Sequence, residues 1–181
     1  FSGEKNTPYK ETDPTSPLGA YGQTKLLGES ALQHSDIDFI ILRTSWLYSA
    51  FGNNFVKNIL RISKEKKELK VVFDQVGTPT YAKDLARFII YVIENELYIG
   101  KQDVYHFSNE GVCSWYDFAI EILKLSGSSC KVIPCLSYEF PTPAARPAYS
   151  VLDKSKLKAD FNYTIPYWKD SLEFLMKNYH I

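Results

Sequence analysis

Pro14-Thr15-Ser16-Pro17-Leu18-Gly19-Ala20-Tyr21-Gly22-Gln23-Thr24-Lys25-Leu26-Leu27-Gly28-Glu29 carries a phenol and an ammonium four residues apart, just inside an expected helix. That spacing puts Tyr21 and Lys25 on one helical face, one turn apart, where the cation can hold a phenolate. A phenol supported in this way donates and accepts a proton, and carbonyl reduction is the chemistry it suggests. Ser16 is expected as the N-cap and Pro17 as a pre-organised first helical residue, so both groups fall in the first turns. Gly22 and Gly28 then lie inside the helix, each costing roughly 1 kcal/mol relative to Ala, which tight packing or a close ligand would offset. With 13 tyrosines in 181 residues, about one Tyr-x-x-x-Lys is expected by chance, so the surroundings must decide.

Outward from this helix, apolar runs alternate with helical patterns, the signature of an α/β organisation. Helices are expected over 16–34, 55–66, 81–95 with Thr80 as cap, 115–125 closed by Gly127, and 168–178. Strands are expected over 39–43, 69–73, 104–107 and 131–134. Between residues 138 and 149, Pro141, Pro143 and Pro147 prevent regular structure and impose an extended loop.

Composition narrows the function classes. An apolar content of 45% with 15% aromatic residues fits a globular domain. No apolar run approaches the roughly 20 residues needed to span a membrane, so no membrane role and a cytoplasmic setting are expected. The 21 basic and 21 acidic side chains balance, which removes any overall electrostatic reason to bind nucleic acid. The basic stretch 64–70 is broken by Glu65 and Glu68 and reads as a solvated helix end. Cys113, Cys130 and Cys135 form no Cys-x-x-Cys pair and read as reduced structural thiols, and His106 reads as a packed strand residue.

Six segments together point to a family. They are Pro8-Tyr9-Lys10-Glu11-Thr12-Asp13 leading to Tyr21-Gly22-x-x-Lys25-x-x-Gly28-Glu29, then Leu42-Arg43-Thr44-Ser45-Trp46-Leu47-Tyr48 and Gly52-Asn53-Asn54-Phe55. Asp74-Gln75-Val76-Gly77-Thr78-Pro79-Thr80, Ser114-Trp115-Tyr116-Asp117-Phe118-Ala119 and Ala145-Arg146-Pro147-x-x-Ser150-x-Leu152-Asp153 follow in the same order. The set resembles extended short-chain dehydrogenase/reductases and, within them, the dTDP-4-dehydrorhamnose reductases. The resemblance implies an α/β fold, the C-terminal part of an NAD(P)-binding Rossmann fold plus a small substrate-binding lobe. Residues 1–73 would be the remnant of the dinucleotide-binding domain and 74–181 mainly the substrate lobe, the two interleaved.

The same resemblance implies NADPH- or NADH-dependent reduction of the C4 keto group of dTDP-4-dehydro-L-rhamnose. Tyr21 and Lys25 would be catalytic and touch the cofactor, with Thr44 and Ser45 beside the nicotinamide. Trp46 would face the deoxysugar, and Asn54, Gln75 and Arg146 the nucleotide and diphosphate; the competing readings are a core Trp46, Asn54 as the cap of the helix that follows, and Gln75 as a stabiliser of the 74–80 turn. The partner would be a nucleotide sugar, with room for a homodimer and for a divalent ion whose ligands cannot be matched to positions here. The family's Gly-rich phosphate loop has no counterpart in this chain, so the chain is expected to be a C-terminal piece, inactive and self-associating alone. Two alternatives stay open: a reductase or epimerase acting on another nucleotide sugar, and a regulatory subunit like that of methionine adenosyltransferase.

Overall fold

A computed structural model describes residues 1–17, 19–140 and 146–179. In chain order the elements are α1 (Ala20–Gln33), β1 (Phe39–Arg43), β2 (Leu47–Tyr48), α2 (Phe55–Glu65) and β3 (Glu68–Val72). There follow β4 (Val76–Gly77), β5 (Thr80–Tyr81), α3 (Ala82–Glu94), β6 (Gln102–His106) and β7 (Cys113–Ser114). The chain continues through α4 (Trp115–Ser126), β8 (Lys131–Cys135), a 3-10 turn (Ser137–Glu139), α5 (Ser155–Phe161) and α6 (Trp168–Asn178).

Strands far apart in sequence pair side by side. β1 lies parallel to β6, with Phe39 opposite Gln102 and Arg43 opposite His106. β3 lies parallel to β8, where Pro134 faces Val71, as a strand edge allows for a residue with no N–H to donate. Both pairs join residues before position 74 to residues after it. Two shorter pairs, parallel β2–β5 and antiparallel β4–β7, close the junction between them.

Two apolar clusters hold these layers. One gathers Val56, Ile59, Leu69, Val71, Phe118, Ile122, Trp168, Leu172 and their neighbours between α2, α4, α6 and β3. The other gathers Phe88, Val92, Tyr105, Phe107, Leu157, Phe161 and Ile165 between α3, α5 and β6. Side chains of this size each contribute about 1.5–3 kcal/mol when fully buried.

Polar contacts tie the two clusters together. Asn109, fully buried just beyond β6, accepts the Tyr81 N–H through Oδ1 at 2.7 Å. Its Nδ2 lies 2.8 Å from Asp84 Oδ2, 2.9 Å from Ser171 Oγ and 3.1 Å from the Pro166 carbonyl, two protons serving three acceptors. Ser171 also donates to Asp84, and Arg87 flanks that carboxylate at 3.5 Å. Lys154, 7% exposed, donates to the Asn109 carbonyl and meets Glu110.

The long elements lie where the sequence pattern puts them, with ends moved by local chemistry. α1 begins at Ala20 with Gly19 as N-cap, not at Pro17 with Ser16. Pro17 instead packs on the first turn, since a Cβ on Gly22 would come within 2.8 Å of Pro17 Cβ. Thr80 belongs to β5, and Tyr81 takes the N-cap position of α3. The two-residue strands and α5 have no counterpart in the expected pattern, because so short a segment shows no period. Pro141 and Pro143 lie outside the described residues.

α4 shows a complete start and stop. Ser114 Oγ accepts the Asp117 N–H at 3.1 Å while Asp117 Oδ2 accepts the Ser114 N–H at 2.9 Å, and Gly127 ends the helix with a φ of 67°. Ser114→Ala is expected to lower unfolding free energy by about 1 kcal/mol with an unchanged urea m-value. Equal stability of the variant in urea denaturation would remove the capping box from the account of this helix.

Candidate active site

A cleft of about 510 Å³ opens where the start of α1, the C-terminal end of β1 and the segment around residues 146–152 converge. The ends of parallel strands are where open α/β sheets bind ligands, because loops and helix starts gather there. Tyr21, Lys25, Thr44, Ser45 and Arg146 all line it, so five of the eight residues expected from the sequence share one site. Tyr21 is 78% exposed, and Lys25 Nζ lies 5.5 Å from the centre of its ring. Ser45 is oriented by donating its hydroxyl to the Thr78 carbonyl at 2.9 Å, while Thr44 is exposed.

Arg146 arrives from a segment pinned through Val76. The Val76 N–H donates to the Ala148 carbonyl at 2.7 Å, and the Ser150 N–H donates to the Val76 carbonyl at 2.8 Å. Arg43 and Glu29 also line the cleft and neutralise each other in an ion pair of 2.7 Å. Among the described residues Lys25 and Arg146 pair with no carboxylate, which leaves the cleft with two cations suited to a phosphate-bearing ligand.

Trp46 stands beside this cleft, not in its lining. Its φ of 48° is left-handed, a conformation costing an ordinary residue roughly 1–3 kcal/mol and kept only where surroundings enforce it. The surroundings do so: its indole stacks on Trp115 with ring centres 3.6 Å apart at 9°, and its carbonyl accepts the Thr80 N–H at 3.1 Å. Gly77 is required for this. A Cβ there would lie 2.6 Å from Trp46 and 2.5 Å from Ser150 Oγ, which itself lines the cleft.

Asn54 and Gln75 stand outside the cleft lining. The Asn54 amide is committed at both ends, accepting from Lys57 N–H as the N-cap of α2 and donating to the Ser49 carbonyl at 2.8 Å. Gln75 is buried and donates to Ser137 Oγ at 2.8 Å. Gly22 has the close packing expected of it, against Pro17, whereas nothing lies within 4 Å of a Cβ on Gly28.

Two contributors to the site, Trp115 and Ser150, had no role assigned from sequence; both sat in recognised motifs, so position alone flagged them. His106, read from sequence as a packed strand residue, is one: it ends β6 next to Arg43, with Glu11 beside it. His106 is fully buried, its Nδ1 donates to the Tyr9 carbonyl at 3.0 Å, and its backbone N–H donates to Glu11 Oε1 at 2.9 Å. Burial pushes the imidazole below its ordinary value, with Glu11 opposing and Arg43 reinforcing the shift. All three cysteines are buried free thiols, and burial pushes Cys113 and Cys135 up.

The whole chain, residues 1–181, matches the model of the RmlD substrate binding domain. The chain belongs to this family. It is 39% identical over 178 residues to the spore coat polysaccharide biosynthesis protein SpsK of Bacillus subtilis, covering 98% of this chain and 61% of that protein. The crystal structure of a dTDP-4-dehydrorhamnose reductase from Clostridium acetobutylicum superposes with a TM-score of 0.91 at 45% identity, covering 98% of this chain and 61% of that one. A dTDP-4-dehydrorhamnose reductase from Bacillus anthracis, crystallised with NADP, gives 0.90 at 38% identity, with 98% and 61% covered. This RmlD-family chain therefore spans about three fifths of the length of these relatives, and its α/β fold is the Rossmann-type fold of such reductases.

The divalent ion that the resemblance allowed finds no ligand set here, since no three His, Cys, Asp or Glu side chains group together among the described residues. No helix among them is long and apolar enough to cross a membrane.

Two measurements probe this architecture. Gly77→Ala is expected to displace Trp46, lowering stability by about 1–3 kcal/mol and changing tryptophan fluorescence; a wild-type spectrum and melting curve would refute the enforced stack. For His106 the sign is set by its lowered value. The native state favours the neutral ring, so stability is complete above the unfolded imidazole value of about 6.5 and is lost as pH falls below it. His106→Asn, which keeps a donor for Tyr9 but does not titrate, should flatten the stability loss between about pH 7 and pH 5. Identical slopes in urea denaturation would acquit His106.

Proposed function

We propose that this chain is the substrate-side part of an NADPH-dependent nucleotide-sugar reductase, reducing the C4 keto group of dTDP-4-dehydro-L-rhamnose to dTDP-L-rhamnose. The observation that carries the reading is the single cleft joining Tyr21 and Lys25 to Thr44, Ser45 and Arg146. Residues 1–73 belong in this reading to the dinucleotide-binding part and 74–181 mainly to the substrate lobe, interleaved through the β1–β6 and β3–β8 pairs. NADPH is favoured over NADH by the Bacillus anthracis relative crystallised with NADP. A reaction drawing on reduced nicotinamide suits a cytoplasmic setting.

The donor set fits the nicotinamide end of such a cofactor. Exposed Lys25 would hold a ribose hydroxyl, and Thr44 and Ser45, which line the cleft just after β1, would hold the carboxamide. When bound, NADPH supplies the hydride that reduces the sugar's C4. Tyr21 Oη gives its proton to the carbonyl oxygen as that oxygen gains charge, and Lys25 holds the phenolate left behind. Arg146 meets the diphosphate, for which its planar fork is suited. In this reading Trp46, packed between Gly77 and Trp115 beside the cleft, backs the deoxysugar end of the site with its apolar bulk. Asn54 and Gln75 serve this site by holding α2 and the turn after β3.

The test is NADPH oxidation by the full-length gene product, dependent on dTDP-4-dehydro-6-deoxy-L-mannose, beside its Tyr21→Phe variant. Loss of the phenolic proton should cut turnover by about 10²-fold or more with folding unchanged. A variant that turns over normally would remove Tyr21 from the chemistry. A folded, NADPH-binding protein that reduces only other nucleotide sugars, or none, would refute the substrate assignment.

A further inference from the structure

We propose that Arg43 and Glu29 are positioning residues that set Tyr21 and Lys25 against Thr44 and Ser45, an inference that rests on the reductase reading above. A helix that presents the reacting proton needs a defined placement, because an error of about 1 Å at a reacting centre costs on the order of 10²-fold in rate.

The ion pair supplies that placement. Arg43 Nε donates to both Glu29 carboxylate oxygens at 3.0 Å, and Nη2 donates to Oε2 at 2.7 Å. Both side chains are 16% exposed, which shields the pair from water and salt more than an open surface pair. Such a fork restricts distance and orientation together, which a single ammonium contact does not.

Position in the chain explains why this pair and not another. Glu29 lies one turn beyond Lys25 and two beyond Tyr21, so the three share one face of α1. Arg43 is the last residue of β1 and immediately precedes Thr44 and Ser45. The ion pair therefore links the two halves of the cleft through one side chain from each.

The Arg43 end is itself anchored. Its Nη1 donates to the Glu11 carbonyl at 3.4 Å, its guanidinium lies 5.5 Å from the centre of the Phe1 ring, and its backbone sits in register with His106 in β6. Glu11 in turn accepts the His106 backbone N–H. The fork transmits the position of the β1–β6 ladder to the helix that carries the proton donor.

The test uses the full-length protein with Glu29→Gln and Arg43→Lys, in two readouts. In the reductase assay kcat should fall about 10- to 100-fold with the KM for the sugar nucleotide changed less than about twofold. Arg43→Lys keeps the charge and loses the fork, so it should lose kcat as well. In hydrogen exchange, α1 amides should exchange faster while those of β3, β8 and α4 are unchanged. Unchanged kcat in an active enzyme, unchanged α1 exchange, or a loss spread over kcat, KM and exchange throughout the chain would overturn the proposal. If the full-length protein reduces no nucleotide sugar, the functional reading fails, and the exchange readout alone decides whether the pair holds α1.

Discussion

The Asn109 side chain is the point on which the rest of this architecture hangs. Its oxygen holds the backbone at the start of α3, and its nitrogen reaches Asp84 of α3, Ser171 of α6 and the chain before α6. One buried amide thereby joins the two apolar clusters, which lie on α3 with α5 and on α4 with α6. A polar group in such a place costs several kcal/mol if left unmatched, so the arrangement is stable only when all its partners are in register. Hydrophobic burial supplies the driving force for packing these helices, and the amide selects one packing among many.

The cleft follows from that selection. β5 leads into α3 at Tyr81, the residue whose N–H Asn109 holds, and β5 pairs with β2 directly after Trp46. Trp46 can then be forced into a left-handed backbone because the Thr80 N–H, the Trp115 ring and the space over Gly77 leave it no alternative. Strain stored beside a ligand cleft and sustained by the surrounding fold is a recurrent property of functional sites. The exposed Tyr21 and Lys25 lie on α1, which is tied to the β1 end by charge.

How much of this was legible in the chain varied with the physics of each element. α2, α3, α4 and α6 were readable because each repeats its apolar residues with a helical period over several turns. The pairs β2–β5 and β4–β7 were not, since two residues have no period and owe their extended form to a partner far away in sequence. Within the site, Tyr21, Lys25, Thr44, Ser45 and Arg146 were readable as motif positions and do converge. For Asn54 and Gln75 the chain left a ligand contact and a cap or turn role equally open, and in the fold Asn54 caps α2 while Gln75 Nε2 donates to Ser137. Local sequence does not distinguish an amide that faces a ligand from one that completes a helix end.

By itself the sequence determined the alternating α/β character, the Tyr-Lys spacing on one helical face and the motif order that marks the family. These are local properties, set by backbone periodicity and by side-chain chemistry a few residues apart. Only the tertiary structure decided that Arg146 and Tyr21 line one cleft, that Gly77 makes room for Trp46, and that Arg43 holds Glu29. Such contacts join segments separated by many residues, and their geometry depends on how the two apolar clusters lock together, which no local pattern encodes.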